Sequence, residues 1–277
     1  MAIMNTDKDL AELYRRGRRT SNKITGRPEN EKVECTAAKE QDTLERYKIG
    51  GPDERSDEYL YQELALIPFF AGMKSSIVAT YRERINHWFW DYRKVAKYSE
   101  EEVKDMMADS KMFHNKKKIE AAIENAREFQ RIRDLDEYGS FIKYIFHFNP
   151  QDSLDNLRDL MKDMHEHFIF FGPTVTKHYL MVIDIGLPII KPDLNIMRTF
   201  YRIGLVDKDG DDEGSWAVAI MMAEAADVPV LWVDYLVSLG MESGREVCGH
   251  KTFCERPENP CEIRDLCDEW TRRHCER

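Results

Sequence analysis

YLYQELALIPFFAGMKSSIVATYRERINHWFWDYRKVAKYSEEEVKDMM, residues 59–107, decides the fold. Tyr59, Leu60, Glu63, Leu64 and Ile67 recur at helical spacing, and similar stripes run through 77–90, 103–107, 119–129, 141–148 and 154–164. Apolar positions three and four apart share one face of a helix, whereas strand-like alternation is almost absent. The chain is therefore expected to be mostly α. Start signals agree: Ser99 precedes Glu100, Glu101 and Glu102, an N-cap with a glutamate three positions on. Asp57 and Ser153 are placed to cap the helices that follow them.

Outward from this core, residues 1–55 are polar, punctuated by Gly26, Pro28, Gly50, Gly51 and Pro52, and are read as an extension with at most one short helix near 7–16. The helical body is expected over 56–247, with a cysteine-rich tail at 248–277. A chain of 277 residues can bury a large core in one broad domain or two closely packed lobes. Its apolar runs near 180 and 230 are broken by Asp184, Pro188, Asp227 and Asp234, so no spanning helix is expected, and the reading is a cytoplasmic protein. The net charge of −10 argues against a basic nucleic-acid coat and makes any contact with a polyanion local. RRGRRTSNK at 15–23 and Lys116, Lys117 and Lys118 are two basic patches, each read as a solvated surface when taken alone. The acidic loop DKDGDDEGS, 207–215, has Val218 where a calcium loop needs its bidentate glutamate, and is read as solvated.

Two segments can carry chemistry. FIFFGPTVTKHYLMVIDIGL, 168–187, sets a Gly172-Pro173 turn between helices, where backbone amides at a helix start can receive a phosphate without a basic surface. IIKPDLNIMRTFYRIGL, 189–205, places Asp193 behind Pro192 and ahead of a helix. Asp193 can be an N-cap, or a carboxylate facing a cleft, where it would stabilise an oxocarbenium-like sugar cation and orient water; spacing alone leaves both open.

Five of the six cysteines lie in CGHKTFCERPENPCEIRDLCDEWTRRHC, 248–275. Clustered thiols in a reducing compartment point to metal rather than disulfide. Cys248, Cys254, Cys261 and Cys267 suit a four-iron four-sulfur cluster or a structural zinc, with His250 or His274 able to replace one thiolate on zinc.

The stretch 59–107, followed by HNKKKIEAAIENAREFQ (114–130) and YGSFIKYIF (138–146), resembles the bacterial 3-methyladenine DNA glycosylase I family, within the helix-hairpin-helix DNA glycosylase superfamily. From Gly172 onward the chain is similar to the endonuclease III branch: Asp193 stands 21 residues after the hairpin glycine, and CEIRDLC (261–267) matches the last two cluster ligands of that branch. A Cys-x-x-Cys pair of that branch is absent here. The resemblance implies a two-lobed helical fold with a C-terminal iron–sulfur loop. It also implies an enzyme that binds duplex DNA through Gly172, Pro173, Thr174, Val175, Thr176 and Lys177 and hydrolyses the bond to a flipped, modified base with Asp193.

In the first family an acidic residue and a tryptophan flank the Ala-Gly turn and recognise adenine; the corresponding residues here are Ile67 and Ser75. Loss of that pair implies a roomier pocket, unsuited to cationic 3-methyladenine and open to another lesion or a bulky modified pyrimidine. Phe69, Phe70 and Ser75 are the pocket candidates, with Trp88 and Trp90 as further stacking surfaces. Lys177 lies one to two positions out of the register that a strand-cleaving hairpin lysine occupies, so it is read as phosphate-facing or solvated and the enzyme as monofunctional. The alternative, also implied by resemblance, is a thymine-hypermodification enzyme of the alpha-glutamyl or putrescinyl thymine pyrophosphorylase type.

Overall fold

The computed structural model describes residues 9–25, 55–73, 75–236 and 261–268. Among these the regular structure is entirely helical: α1 (Leu10–Thr25), α2 (Asp57–Phe70), α3 (Ser75–Trp88), α4 (Tyr92–Val95), α5 (Glu100–Ala108), α6 (Lys116–Arg133), α7 (Phe141–His147), α8 (Leu154–His167), α9 (Pro173–Val182), α10 (Leu194–Ile203) and α11 (Asp212–Ala226). Short 3-10 helices cover Val230–Leu236 and Arg264–Leu266. The chain divides into two compact units, residues 46–187 and residues 1–45 with 188–277.

In the unit 46–187, α6 packs against α2, α4, α5 and α7, while α9 lies on α2 and α8. Its centre is aromatic. Phe129 of α6 stacks on Phe141 with ring centroids 4.2 Å apart and meets Tyr61 edge-on at 5.5 Å. Such pairs contribute about 0.5–1.5 kcal/mol each beyond the apolar area they bury. The capping reading at Ser99 holds, with both halves of the capping box present, and Ser153 accepts from the Asn156 amide. At α2 the cap is one residue earlier than the sequence reading. Ser56 accepts from the Tyr59 amide, which leaves the Asp57 carboxylate to accept from the Phe141 amide at 2.8 Å and from Arg133 Nε at 2.9 Å. Asp57 thus fastens α2 to the start of α7.

Lys118 is a correction to the reading of 116–118 as a solvated basic face. Lys116 and Lys117 are exposed, but Lys118 is buried, and its ammonium donates to the carbonyls of Pro68 (2.6 Å), Phe69 (3.3 Å) and Ala71 (2.6 Å). The last carbonyls of a helix have no intrahelical donor, so the cation satisfies the end of α2 and suits the negative pole of its dipole.

In the unit 1–45 with 188–277, α1 packs against α11 and the 3-10 helix Val230–Leu236. The N-terminal helix thus runs to Thr25 rather than ending near 16, and Leu13 and Tyr14 are buried on its inner face. Part of its basic stretch is neutralised within the unit: Arg16 pairs with Asp265, and Arg19 Nε donates to Glu262 at 2.6 Å. Buried Thr20 accepts the Glu262 amide at 3.0 Å. The helix after the acidic loop starts at Asp212, inside the stretch 207–215 read as a loop, because the Asp211 side chain accepts from the Gly214 amide. Among the described residues no helix is long and apolar enough to cross a membrane.

Candidate active site

Four groups of residues are candidates for function, two in each unit. The first is the turn after α2. Ile67, which stands where the family resemblance expects a carboxylate, is 1% exposed. Phe69 belongs to the core, 0% exposed and edge-on to Phe89 and Phe113, so no ring face is left for a base. Phe70 is half-buried with its ring 5.2 Å from that of His178 on α9. Gly72 follows in the left-handed region at φ 69, with nothing within 4 Å of where a Cβ would stand. Ser75 opens α3, and its side chain lies outside the described residues. Trp88 donates to Asp109 Oδ2 at 2.9 Å. That bond is the largest cause holding the Asp109 carboxyl down at about 2, with Arg84 and the Lys111 amide contributing less. Trp90 is exposed, with Lys94 Nζ 4.4 Å above its ring.

The second is the hairpin between α8 and α9. Gly172 is the N-cap of α9 and Pro173 its first residue, an arrangement that needs no amide at that position. The amides of Val175 and Thr176 both turn back onto the Gly172 carbonyl at 3.0 and 2.9 Å. Thr176 is buried, and its hydroxyl lies 3.0 Å from the Phe171 carbonyl and 3.1 Å from that of Gly172. Lys177 is 1% exposed, which corrects the reading of it as phosphate-facing or solvated: it follows Thr176 onto the inner face of α9. The turn is held from α6 as well. Asn125, 1% exposed, donates to the Ile169 carbonyl at 3.0 Å and accepts from the Ile169 amide at 2.8 Å. His165 Nδ1 meets the Phe171 carbonyl at 2.7 Å. Between these anchors Phe170 adopts φ 67.

The third group surrounds Asp193. Its side chain caps α10, accepting from the Asn195 and Ile196 amides at 2.8 and 3.1 Å. The capping reading is therefore correct as structure. Both bonds end on Oδ1, which leaves Oδ2 outside the cap. Asp193 is half-buried, and α10 behind it ends in a left-handed Gly204 at φ 83. A second carboxylate, Asp234 on the 3-10 helix Val230–Leu236, is pushed up to about 7, first by burial and then by the charge of Asp193, with Lys191 acting the other way. The sequence reading missed Asp234 as a site residue, because only folding brings it near Asp193.

The fourth is the cysteine segment. Cys248, Cys254, Cys275, His250 and His274 lie outside the described residues. Cys261 and Cys267 are buried at either end of the turn Arg264–Leu266, and the Cys267 thiol donates to the Arg202 carbonyl at 3.3 Å. Two buried thiols on one short turn, braced against α1, suit a soft metal centre. Among the described residues no group of three or more metal-binding side chains converges, and two of the four expected thiols fall outside that set.

The family model described as methyladenine glycosylase matches residues 38–180 of the chain. That span takes in α2 to α8 and most of α9; Asp193 and the clustered cysteines lie beyond it. Among solved structures, the chain is similar to a tyrosine-to-phenylalanine variant of 3-methyladenine DNA glycosylase I in complex with 3-methyladenine. The identity is 23%, over 47% of this chain and 78% of that one, with a TM-score of 0.41.

Proposed function

Because the chain belongs to the methyladenine glycosylase family of DNA glycosylases, we propose that it extrudes a modified nucleotide from duplex DNA and hydrolyses its N-glycosidic bond with Asp193 as catalytic carboxylate. Flipping costs a few kcal/mol of unstacking, least for a damaged base. The carboxylate would then stabilise the sugar cation as the base departs and direct a water to the anomeric carbon. One observation supports a double role for Asp193: Oδ1 takes both capping amides and Oδ2 takes neither.

The substrate in this reading is not simple 3-methyladenine. A cationic purine needs an anion in its pocket, and buried, apolar Ile67 supplies none. A neutral modified base, a bulky pyrimidine included, accords better with a turn that carries no anion at position 67. The enzyme is read as monofunctional, since buried Lys177 does not present an amine for attack on the sugar. Cys248, Cys254, Cys261 and Cys267 hold a four-iron four-sulfur cluster in this proposal, with zinc as the alternative metal. Such a centre would cross-link the tail.

The test is incubation of the full chain with genomic DNAs, including phage DNAs rich in modified pyrimidines, followed by mass spectrometry. A released base is expected, and Asp193→Asn should abolish release while leaving DNA binding intact. Unchanged turnover by Asp193→Asn would remove the carboxylate from the mechanism. An intact, heavier nucleoside would replace hydrolysis with transfer to a thymine-type base.

A further inference from the structure

The hairpin is bare of available charge. From Phe168 to Thr176 the sequence has no ionisable side chain, and Lys177, the next residue, is buried. Two of its amides are spent on the Gly172 carbonyl. What the tip offers instead is apolar surface: Ile169 is 46% exposed and Phe170 39%, while their neighbours Phe168 and Phe171 are 3% and 1%. Phe170 holds a left-handed backbone, φ 67, which a side chain with a Cβ rarely adopts. A buried amide, Asn125, is devoted to holding it there through both polar groups of Ile169. One side of the ring faces the capped Lys118 ammonium at 5.5 Å. A strained, braced and exposed aromatic is the arrangement of a contact element.

We propose that Ile169 and Phe170 form an apolar DNA contact at the hairpin, packing on deoxyribose and unstacked base rather than neutralising phosphate, with Asn125 as its positioning residue. The inference deepens the DNA glycosylase reading and rests on it. The DNA glycosylase family supplies the occupant, and charge bears on the mode of contact. A chain of net charge −10 gains little from long-range attraction to a polyanion, and a neutral tip can approach where an acidic surface is repelled. Contacts of this kind release few counterions, so their contribution is independent of salt.

The experiment measures binding of the full-length protein to a short duplex with a tetrahydrofuran abasic analogue across a salt series. Phe170→Gly removes the ring while supplying the residue best suited to the left-handed backbone, so the fold should be retained or strengthened. Binding should nevertheless weaken roughly tenfold at every salt concentration, with the slope of log affinity against log salt unchanged. Asn125→Ala should weaken binding similarly, and Met221→Ala, at an exposed apolar residue outside the hairpin, should not. Wild-type affinity in Phe170→Gly, or a loss confined to low salt, would overturn the proposal. If the wild-type chain itself fails to bind the duplex, the DNA-binding reading beneath it falls too. If it binds and Phe170→Gly binds equally, only the hairpin assignment falls.

Discussion

Lys118 and Ala71, 47 positions apart in sequence, are joined by a 2.6 Å bond from a buried ammonium to the carbonyl closing the α2 turn. Burial lowers the affinity of this amine for its proton, while three carbonyls accept from it. Lys118→Met would leave those carbonyls without their donor. A loss of about 2–4 kcal/mol in urea unfolding is expected. A change under about 0.5 kcal/mol would mean that water replaces the ammonium without cost.

The cap made by Asp193 and its proposed catalytic role separate by substitution. Asparagine caps a helix about as well as aspartate, whereas alanine costs about 0.5–2 kcal/mol. Asp193→Asn should therefore unfold at nearly the wild-type denaturant midpoint, and Asp193→Ala at a lower one, while both lose base release. Equal destabilisation of the two would show that the cap depends on the charge.

Asp234 gives the pH dependence. Its carboxyl is raised from 3.8 to about 7, so the folded chain retains a proton that the unfolded chain has already released. Stability should then fall as pH rises from about 4 to about 7 and level off above. Asp234→Asn removes that slope and should gain between about 1 and 4 kcal/mol at about pH 8, with little change at acid pH. Parallel curves for the two proteins in urea titrations would place the shift elsewhere.

Lys177 provides a check on monofunctionality. Borohydride reduction during turnover should trap no protein–DNA adduct, because a buried amine cannot reach an anomeric carbon. Lys177→Met should alter thermal stability without creating or removing strand cleavage. A trapped adduct lost in Lys177→Met would reverse the assignment.

The tail predicts a metal phenotype. Arg16 and Arg19 join α1 to the turn that bears Cys261 and Cys267, through Asp265 and Glu262. Exposed pairs contribute only about 0–1 kcal/mol each, so the double alanine variant should fold. The iron of the proposed cluster should nonetheless be lost to a chelator faster from this variant than from the wild type, followed by visible absorbance. Zinc in place of iron in the purified wild type would end the cluster proposal.

The helices were legible because their stripes and caps are local: the Ser99 capping box and the Ser153 cap follow from three or four consecutive residues. So was Asp193 as a helix start. Lys118 was misread as surface because its partners lie nearly 50 positions upstream, although a signal existed. Lys118, Ala122, Asn125, Phe129 and Ile132 follow the four-three spacing of a buried stripe, and all five are buried. Two polar residues on such a face announce a bonding duty. Phe69 was misread because an aromatic beside a turn looks the same in sequence whether it faces a pocket or the core. The left-handed Phe170 gave no local sign, since neither glycine nor asparagine marks it.

Lys118 and Asn125 stand seven positions apart on one helix, two turns or about 10.5 Å along its axis. One anchors the bend that follows α2, the other the bend that precedes α9. The interval between those bends is thus gauged by a rigid rod rather than by the connecting loops. Insertions in those loops can accumulate while the distance between the two bends stays fixed.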